Sequence, residues 1–348
     1  MRLLWGMTPA SKSMSELRKL FFLSLLAGLS GGVWAEEPAQ EVTAWLHRMG
    51  QAVHELNYEG TFVYLLDSHV EAMHLLHTAQ DGQERERLVS LNGMPRQVVR
   101  DNYSIICVLP DRRSVSAELR SGAVPNETDA GNLAQLAENY EFHLFGTERV
   151  AGRQARVILI VPHDNLRYGH RLFLDVTSAL PLKSELLDEK GKPISQIMFT
   201  ELRIAPNTSL GDSNSEESMS LAADDQYAWV NQKPSFRLPD KSQAQTGWVF
   251  SGLPKGFRLR IHSRRAATKT RSAVDHFVFS DGLATLSVYV EKEGAQRGLN
   301  GASQVGTLNA FGINKDGYQI TAVGEVPPQT VQQLTQTIEL KSQDTAND

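Results

Sequence analysis

Seven basic side chains come closest to a chemical function in this chain. Lys255, Arg258, Arg260, Arg264, Arg265, Lys269 and Arg271 fall within one stretch that contains no Asp or Glu. The arginine fork matches a carboxylate or a phosphate, and such charge-assisted pairs are the strong hydrogen bonds of proteins. Phe257, Leu259 and Ile261 alternate with Arg258 and Arg260. That period of two predicts a strand with both guanidinium groups on one face. Arg258, Arg260, Arg264 and Arg265 are therefore the candidate partner-binding residues, on a surface suited to acidic peptide or phosphorylated lipid. The competing reading is a solvated strand face and loop.

Other groups offer less. His69, His74 and His77 are the densest histidine group, but on a strand His74 and His77 point to opposite faces and make poor joint ligands. Glu84 and Glu86 share a strand face, a spacing common on solvated edges. G-x-G-x-x-G, the phosphate-binding G-x-x-x-x-G-K and H-E-x-x-H are all absent, and the G-x-S-x-G spacing occurs only as Gly28-Leu29-Ser30-Gly31-Gly32, inside the apolar N-terminal stretch rather than on a strand–turn–helix. Neither an enzyme nor a cofactor nor a metal site is indicated.

The elements that must position these residues are mostly strands. Val157–Val161, Arg171–Val176 and Leu182–Leu187 are short β-rich runs closed by Ala151-Gly152, Pro162 to Asn165, Ser178 to Pro181 and Asp188 to Gly191. No room is left for crossover helices, so they form an antiparallel meander. Upstream, Gly60–Tyr64, Met73–His77, Leu88–Leu91, Gln97–Arg100 and Ser104–Leu109 extend it, with Asn92-Gly93 as a hairpin turn. Val42, Trp45, Leu46, Met49 and Val53 make one stripe on a helix from about Pro38 to Leu56, which should lie across the sheet. Leu133, Leu136, Ala137 and Tyr140 suggest a short second helix. Downstream, Trp248–Phe250, Phe257–His262, Phe277–Ser280, Thr285–Val290, Gly306–Asn314 and Tyr318–Gly324 build a smaller sheet, with Val331, Leu334 and Ile338 marking a covering helix. The fold class is mostly β. Phe62 and Tyr64 share one strand face, and Leu172 and Leu174 share another.

The order of the chain follows. Arg18-Lys19, the apolar run Leu20–Leu29 and Val33-Trp34-Ala35 read as an export leader at 1–35, cut after Ala35. Residues 36–205 carry 17 basic and 24 acidic side chains, residues 246–341 carry 11 and 7, and domains of opposite sign suggest different partners. Between them 206–245 has the polar, aperiodic composition of a linker, and 342–348 is a tail. Cys107 is the only cysteine, so no internal disulfide forms, and its apolar neighbours suggest a buried thiol. Export also excludes nucleic acid as a partner.

With these elements in place, a resemblance can be stated. Gly60-Thr61-Phe62-Val63-Tyr64, Glu84-Arg85-Glu86-Arg87-Leu88, Asn92-Gly93 through Arg100, Val150-Ala151-Gly152-Arg153, Arg167-Tyr168-Gly169, Asp175 and Leu180-Pro181-Leu182-Lys183-Ser184 resemble the RseB/MucB family. So do Leu253-Pro254-Lys255-Gly256-Phe257, Ser280-Asp281-Gly282-Leu283 and Val323 to Pro328, in the same order. The resemblance implies a periplasmic regulator of the sigma-E envelope stress response. It implies a half-open antiparallel barrel wrapped on a helix, similar to LolA and LolB, as a lipid-sensing domain over 36–205, in which Phe62, Tyr64, Leu172 and Leu174 are the candidates to hold acyl chains, the alternative being an ordinary closed core. It implies a smaller domain over 246–341 that grips the periplasmic part of an RseA/MucA-type anti-sigma factor and shields it from its site-1 protease, with release by lipid or lipopolysaccharide. The alternative is a periplasmic lipoprotein or lipid carrier of the LolA type, which has no need of the second domain. A homo-oligomer is compatible with either.

Overall fold

The computed structural model describes residues 37–66, 69–80, 82–94, 96–101, 104–108, 114–118, 130–205, 236–237, 247–265, 273–294 and 298–341. The expected leader, most of the expected linker and the tail lie outside the described residues. So do the side chains of Cys107 and Arg265.

The chain opens with helix α1 (Glu37–Glu55). Strands β1 (Asn57–Leu66), β2 (His69–Gln80), β3 (Gln83–Ser90), β4 (Gln97–Asp101), β5 (Ser104–Val108) and β6 (Ser114–Glu118) follow as a meander, each pairing antiparallel with the next. After helix α2 (Ala130–Ala137), a second meander runs through β7 (Tyr140–Val150), β8 (Arg153–Pro162), β9 (Gly169–Asp175), β10 (Pro181–Leu187) and β11 (Pro193–Ala205). The two meanders join where β1 pairs with β11, Tyr58 opposite Ile204 and Tyr64 opposite Ile197. A bulge between Thr61 and Phe62 adjusts the register. At Gly60 a Cβ would overlap the Glu201 carbonyl, so the join needs glycine. Phe236–Arg237 forms β12, which pairs in parallel with Ala117–Glu118 of β6, inside the stretch expected to be linker. Twelve strands thus form one sheet in the order β12-β6-β5-β4-β3-β2-β1-β11-β10-β9-β8-β7. Among the described residues β7 and β12 do not pair, so the sheet stays open.

Helix α1 lies across this sheet as its stripe predicts. Val42 and Leu46 pack with Leu133 and Leu136 of α2, Tyr140, Ile158, Ile160 and Leu174. Nearly two turns further on, Ala52 packs with Tyr58, Leu75, Leu180 and Phe199. The amphipathic face therefore closes two clusters, one under β7 to β9 and one across the join of the two meanders. Tyr140 begins β7 rather than ending α2.

The second sheet is β14 (Arg258–Arg265), β15 (Val274–Ser280), β16 (Thr285–Lys292), β19 (Tyr318–Gly324), β18 (Leu308–Lys315) and β17 (Gly301–Val305), in that spatial order. Asp316 and Gly317, φ 52° and 76°, make the primed two-residue turn that suits a twisted hairpin between β18 and β19. Helix α3 (Pro328–Gln336) starts on consecutive prolines and buries Val331 and Leu334 against Phe277, Leu286, Val288 and Ile320. Ile338 is not on the helix. It belongs to β20 (Ile338–Leu340), which pairs with β13 (Trp248–Phe250). The described residues from Pro38 onward form one compact unit.

Candidate functional site

Three regions can be built from the candidate residues and their neighbours. The first is the α1-facing surface of the large sheet. Cross-strand register places Tyr64 opposite Ile197, Ile197 opposite Ser184, Ser184 opposite Leu172 and Leu172 opposite Ile158. Directly opposed residues share a face, so these form one row from β1 to β8. Phe62 stands on the same face two residues back and meets Phe199 edge-on at 5.9 Å. The four apolar candidates thus come to one side of the sheet, but under opposite ends of α1. Phe62 joins the cluster around Ala52 and Tyr58, whereas Leu172 joins the one around Val42 and Leu46. Leu174 is fully buried and belongs to the core. Ile197, in the middle of the row, is exposed.

The second region is the basic strand. β14 is an edge strand of the smaller sheet. A bulge between Leu259 and Ile261 leaves Arg260 out of the pairing, so the register assigns it no partner on β15 and no face shared with Arg258. Arg258 is opposite Ser280 and Arg264 is opposite Asp275, positions of β15 that alternate to opposite faces. Arg258 and Arg264 are exposed and Arg260 is half-buried, its Nε enclosed without a hydrogen-bond partner. Asp275, 3.9 Å from Arg264, also bonds the His262 ring, which stacks on Phe277 at 4.3 Å.

The histidines and carboxylates have structural partners. His77 stacks on Tyr58 at 4.6 Å, and its Nδ1 donates to the Leu56 carbonyl at 2.8 Å. His74 pairs with Glu59, Glu84 with His54, and Glu86 lies 3.9 Å from Arg100. Among the described residues no group of three or more metal-ligating side chains occurs.

The third region was not anticipated. The loop after β8 carries Arg167, whose guanidinium donates to Asp281 Oδ2 at 2.5 Å, to both oxygens of Asp164, and to the Lys255 carbonyl at 2.7 Å. Tyr140 donates to the same Asp281 oxygen at 2.9 Å. Asp281 Oδ1 accepts the backbone N–H groups of Leu283 and Ala284. Burial, with Asp281 beside it, pushes the Tyr140 hydroxyl up, so it stays protonated and donates. Leu283 packs into the cluster of Val42, Leu46 and Leu174. Gly256, φ +86°, approaches Asn139 so closely that a Cβ would overlap its side chain. Thr330 and Gln329 of α3 donate to the Leu166 and Asn165 carbonyls at 2.7 Å each. The large sheet and the small one are therefore joined by a buried polar network around one carboxylate.

Comparison with known proteins gives this geometry a lineage. A family model described as the MucB/RseB N-terminal domain matches residues 41–220, and one described as the MucB/RseB C-terminal domain matches 242–339. The chain belongs to the MucB/RseB family. It is similar to the sigma factor AlgU regulatory protein MucB of Pseudomonas aeruginosa, 33% identical over 91% of this chain and 96% of the relative. It is similar to the sigma-E factor regulatory protein RseB of Escherichia coli, 28% identical over 85% of this chain and 89% of the relative. Among solved structures, the complex of Pseudomonas aeruginosa MucA and MucB matches with a TM-score of 0.65 and 28% identity, covering 87% of this chain and 99% of that one. The boundary between the two family domains falls in the stretch between β11 and β13. The Arg167–Asp281 network thus joins one family domain to the other.

Proposed function

We propose that this protein is a periplasmic negative regulator of sigma-E-type signalling. It binds the periplasmic part of a membrane anti-sigma factor of the MucA/RseA type, shields it from site-1 proteolysis and lets it go when lipid or lipopolysaccharide occupies the first domain. One observation carries this reading: the chain spans both domains of a relative solved as a complex with MucA. The leader at 1–35, ending near Ala35, accounts for the compartment.

The two candidate surfaces divide the work. The row Tyr64, Ile197, Ser184, Leu172, with Phe62 beside it, offers a mixed floor whose apolar members Phe62, Ile197 and Leu172 can hold an acyl chain, and exposed Ile197 gives entry to it. Arg258, Arg260, Arg264 and Arg265 offer charge-assisted donors to carboxylate or phosphate. The partner reading is tested by affinity capture with the mature chain from an envelope extract. Recovery of one anti-sigma factor supports regulation, and recovery of many lipoproteins instead would make the protein a carrier. The lipid reading is tested by titrating a fluorescent fatty acid, where absence of saturable binding contradicts it.

A further inference from the structure

A cavity of about 330 Å³ is left unused by both surfaces. Tyr168 and His170, at the start of β9, form one wall of it. Ser287 and Tyr289 of β16, Val323 of β19 and Glu325 just beyond form the other. The walls thus come from both family domains. The volume is at the low end for ligand pockets, roughly 300–1,000 Å³, and suits one long side chain.

Its chemistry favours a cation. Glu325 is the one carboxylate among the lining residues, and no Lys or Arg lines the cavity. Glu325 is exposed and accepts a hydrogen bond from Thr307 Oγ1, which fixes its orientation. Asp188 and Glu189 add negative potential near the Tyr168 hydroxyl, which accepts from Asn309 Nδ2 at 3.2 Å. Tyr289 is stacked on His276 at 4.3 Å and is still 37% exposed, so a ring edge and face remain available. Burial holds His170 at about 4, so at neutral pH the imidazole is uncharged and does not repel a cation. A carboxylate and two phenol rings lining one cavity can bind a guanidinium or ammonium group, by ion pairing at the head and cation–π contact along the flank.

We propose that this cavity receives one cationic side chain, an arginine or a lysine, presented by the anti-sigma partner. The inference rests on the partner reading above and names the contact by which that partner would touch both domains at once.

The test titrates the full mature chain with three probes: N-acetyl-argininamide, the uncharged isostere N-acetyl-citrullinamide, and the periplasmic segment of MucA. The variant is Glu325→Gln, which keeps the size and an acceptor for Thr307, with thermal melting as the folding control. The argininamide should bind and the citrullinamide should not. Glu325→Gln should weaken both argininamide and the MucA segment by about tenfold, a charge-assisted contact being lost in each case. Equal binding of the two small probes, or argininamide binding indifferent to Glu325→Gln, overturns the cation site. Argininamide binding that falls in the variant while affinity for the MucA segment stays constant overturns the partner as occupant. If the MucA segment does not bind the unaltered protein, the partner reading itself fails, and the argininamide arm still decides the cavity alone.

Discussion

Arg167 and Asp281 lie 114 residues apart in sequence, are both sealed from solvent, and meet at 2.5 Å. Asp281 accepts two backbone N–H groups on one oxygen and Arg167 with Tyr140 on the other, so a buried carboxylate is fully hydrogen-bonded. Breaking such a pair costs more than the pair contributes, because the surviving charge is stranded.

Asp281→Ala should therefore destabilise the protein by about 3 kcal/mol, at the low end for a broken buried pair because Asp164 remains on Arg167. Chemical denaturation measures this. Small-angle scattering should show the two domains separating before either unfolds. Stability within about 0.5 kcal/mol of the unaltered protein, the range of ordinary surface changes, would make the joint dispensable.

Acidification should loosen the fold between about pH 6.5 and pH 4. Burial lowers His170 from 6.5 to about 4, with Asp281 opposing, and burial also lowers His77 and His276. The unfolded chain then binds more protons than the folded one in that window, so stability rises with pH through it and is fully present above the unfolded value. Melting temperatures recorded across the window should fall as pH falls. His170→Gln should flatten that slope, and an unchanged slope contradicts the assignment.

Leu174→Ala should cost about 2–5 kcal/mol, since a fully buried side chain packed on Val42 and Leu46 is lost. Leu172→Ala, at a half-buried position in the row beneath α1, should cost less and should weaken fatty-acid binding instead. Denaturation and lipid titration on the same pair of variants separate core from floor. Equal stability losses, or lipid affinity untouched by Leu172→Ala, would remove Leu172 from the site.

Replacing Arg258 and Arg260 together by Ala should weaken binding of the MucA segment by about tenfold, if each supplies a charge-assisted contact. The loss should shrink in high salt. Arg264→Ala should matter less, because Arg264 already lies near Asp275. Calorimetry with a circular dichroism control reads all three. Constant affinity at low salt in a folded double variant returns β14 to a solvated edge.

Local signals in the sequence carried far. Period-two runs and turn pairs such as Asn92-Gly93 and Asp316-Gly317 mark the strands, because a strand's alternation and a positive φ are written in single residues. The stripe on α1 is legible for the same reason. What sequence alone cannot show is which distant surfaces meet. Asp281-Gly282 reads as a turn, and it is one. Nothing in its neighbourhood reveals that the same carboxylate also receives Arg167 and Tyr140. Only the resemblance pointed at both segments, Arg167-Tyr168-Gly169 and Ser280 to Leu283, without saying that they touch. The bulge at Arg260 was hidden because an inserted residue leaves the apolar–basic alternation intact while shifting the pairing. The pairing of Phe236–Arg237 with β6 was hidden by polar surroundings, since two residues are too few to carry a period.

The join between β1 and β11 also sets an order of events in time. Glu59 and Arg203, 144 residues apart, form an ion pair across it, whereas β1 to β6 and β7 to β11 pair with their neighbours in sequence. A chain that reaches its compartment N-terminus first can complete the first half-sheet while the strand that must cover the edge of β1 has not yet arrived. Until β11 arrives that edge stays uncovered. Closing so long a loop is slow as well, because its entropy is lost before the new contacts form. The edge of β1, with Phe62 and Tyr64 along it, is thus a template for wrong partners during that interval. The pairing of β1 with β11 removes that hazard only once the chain has reached Ala205.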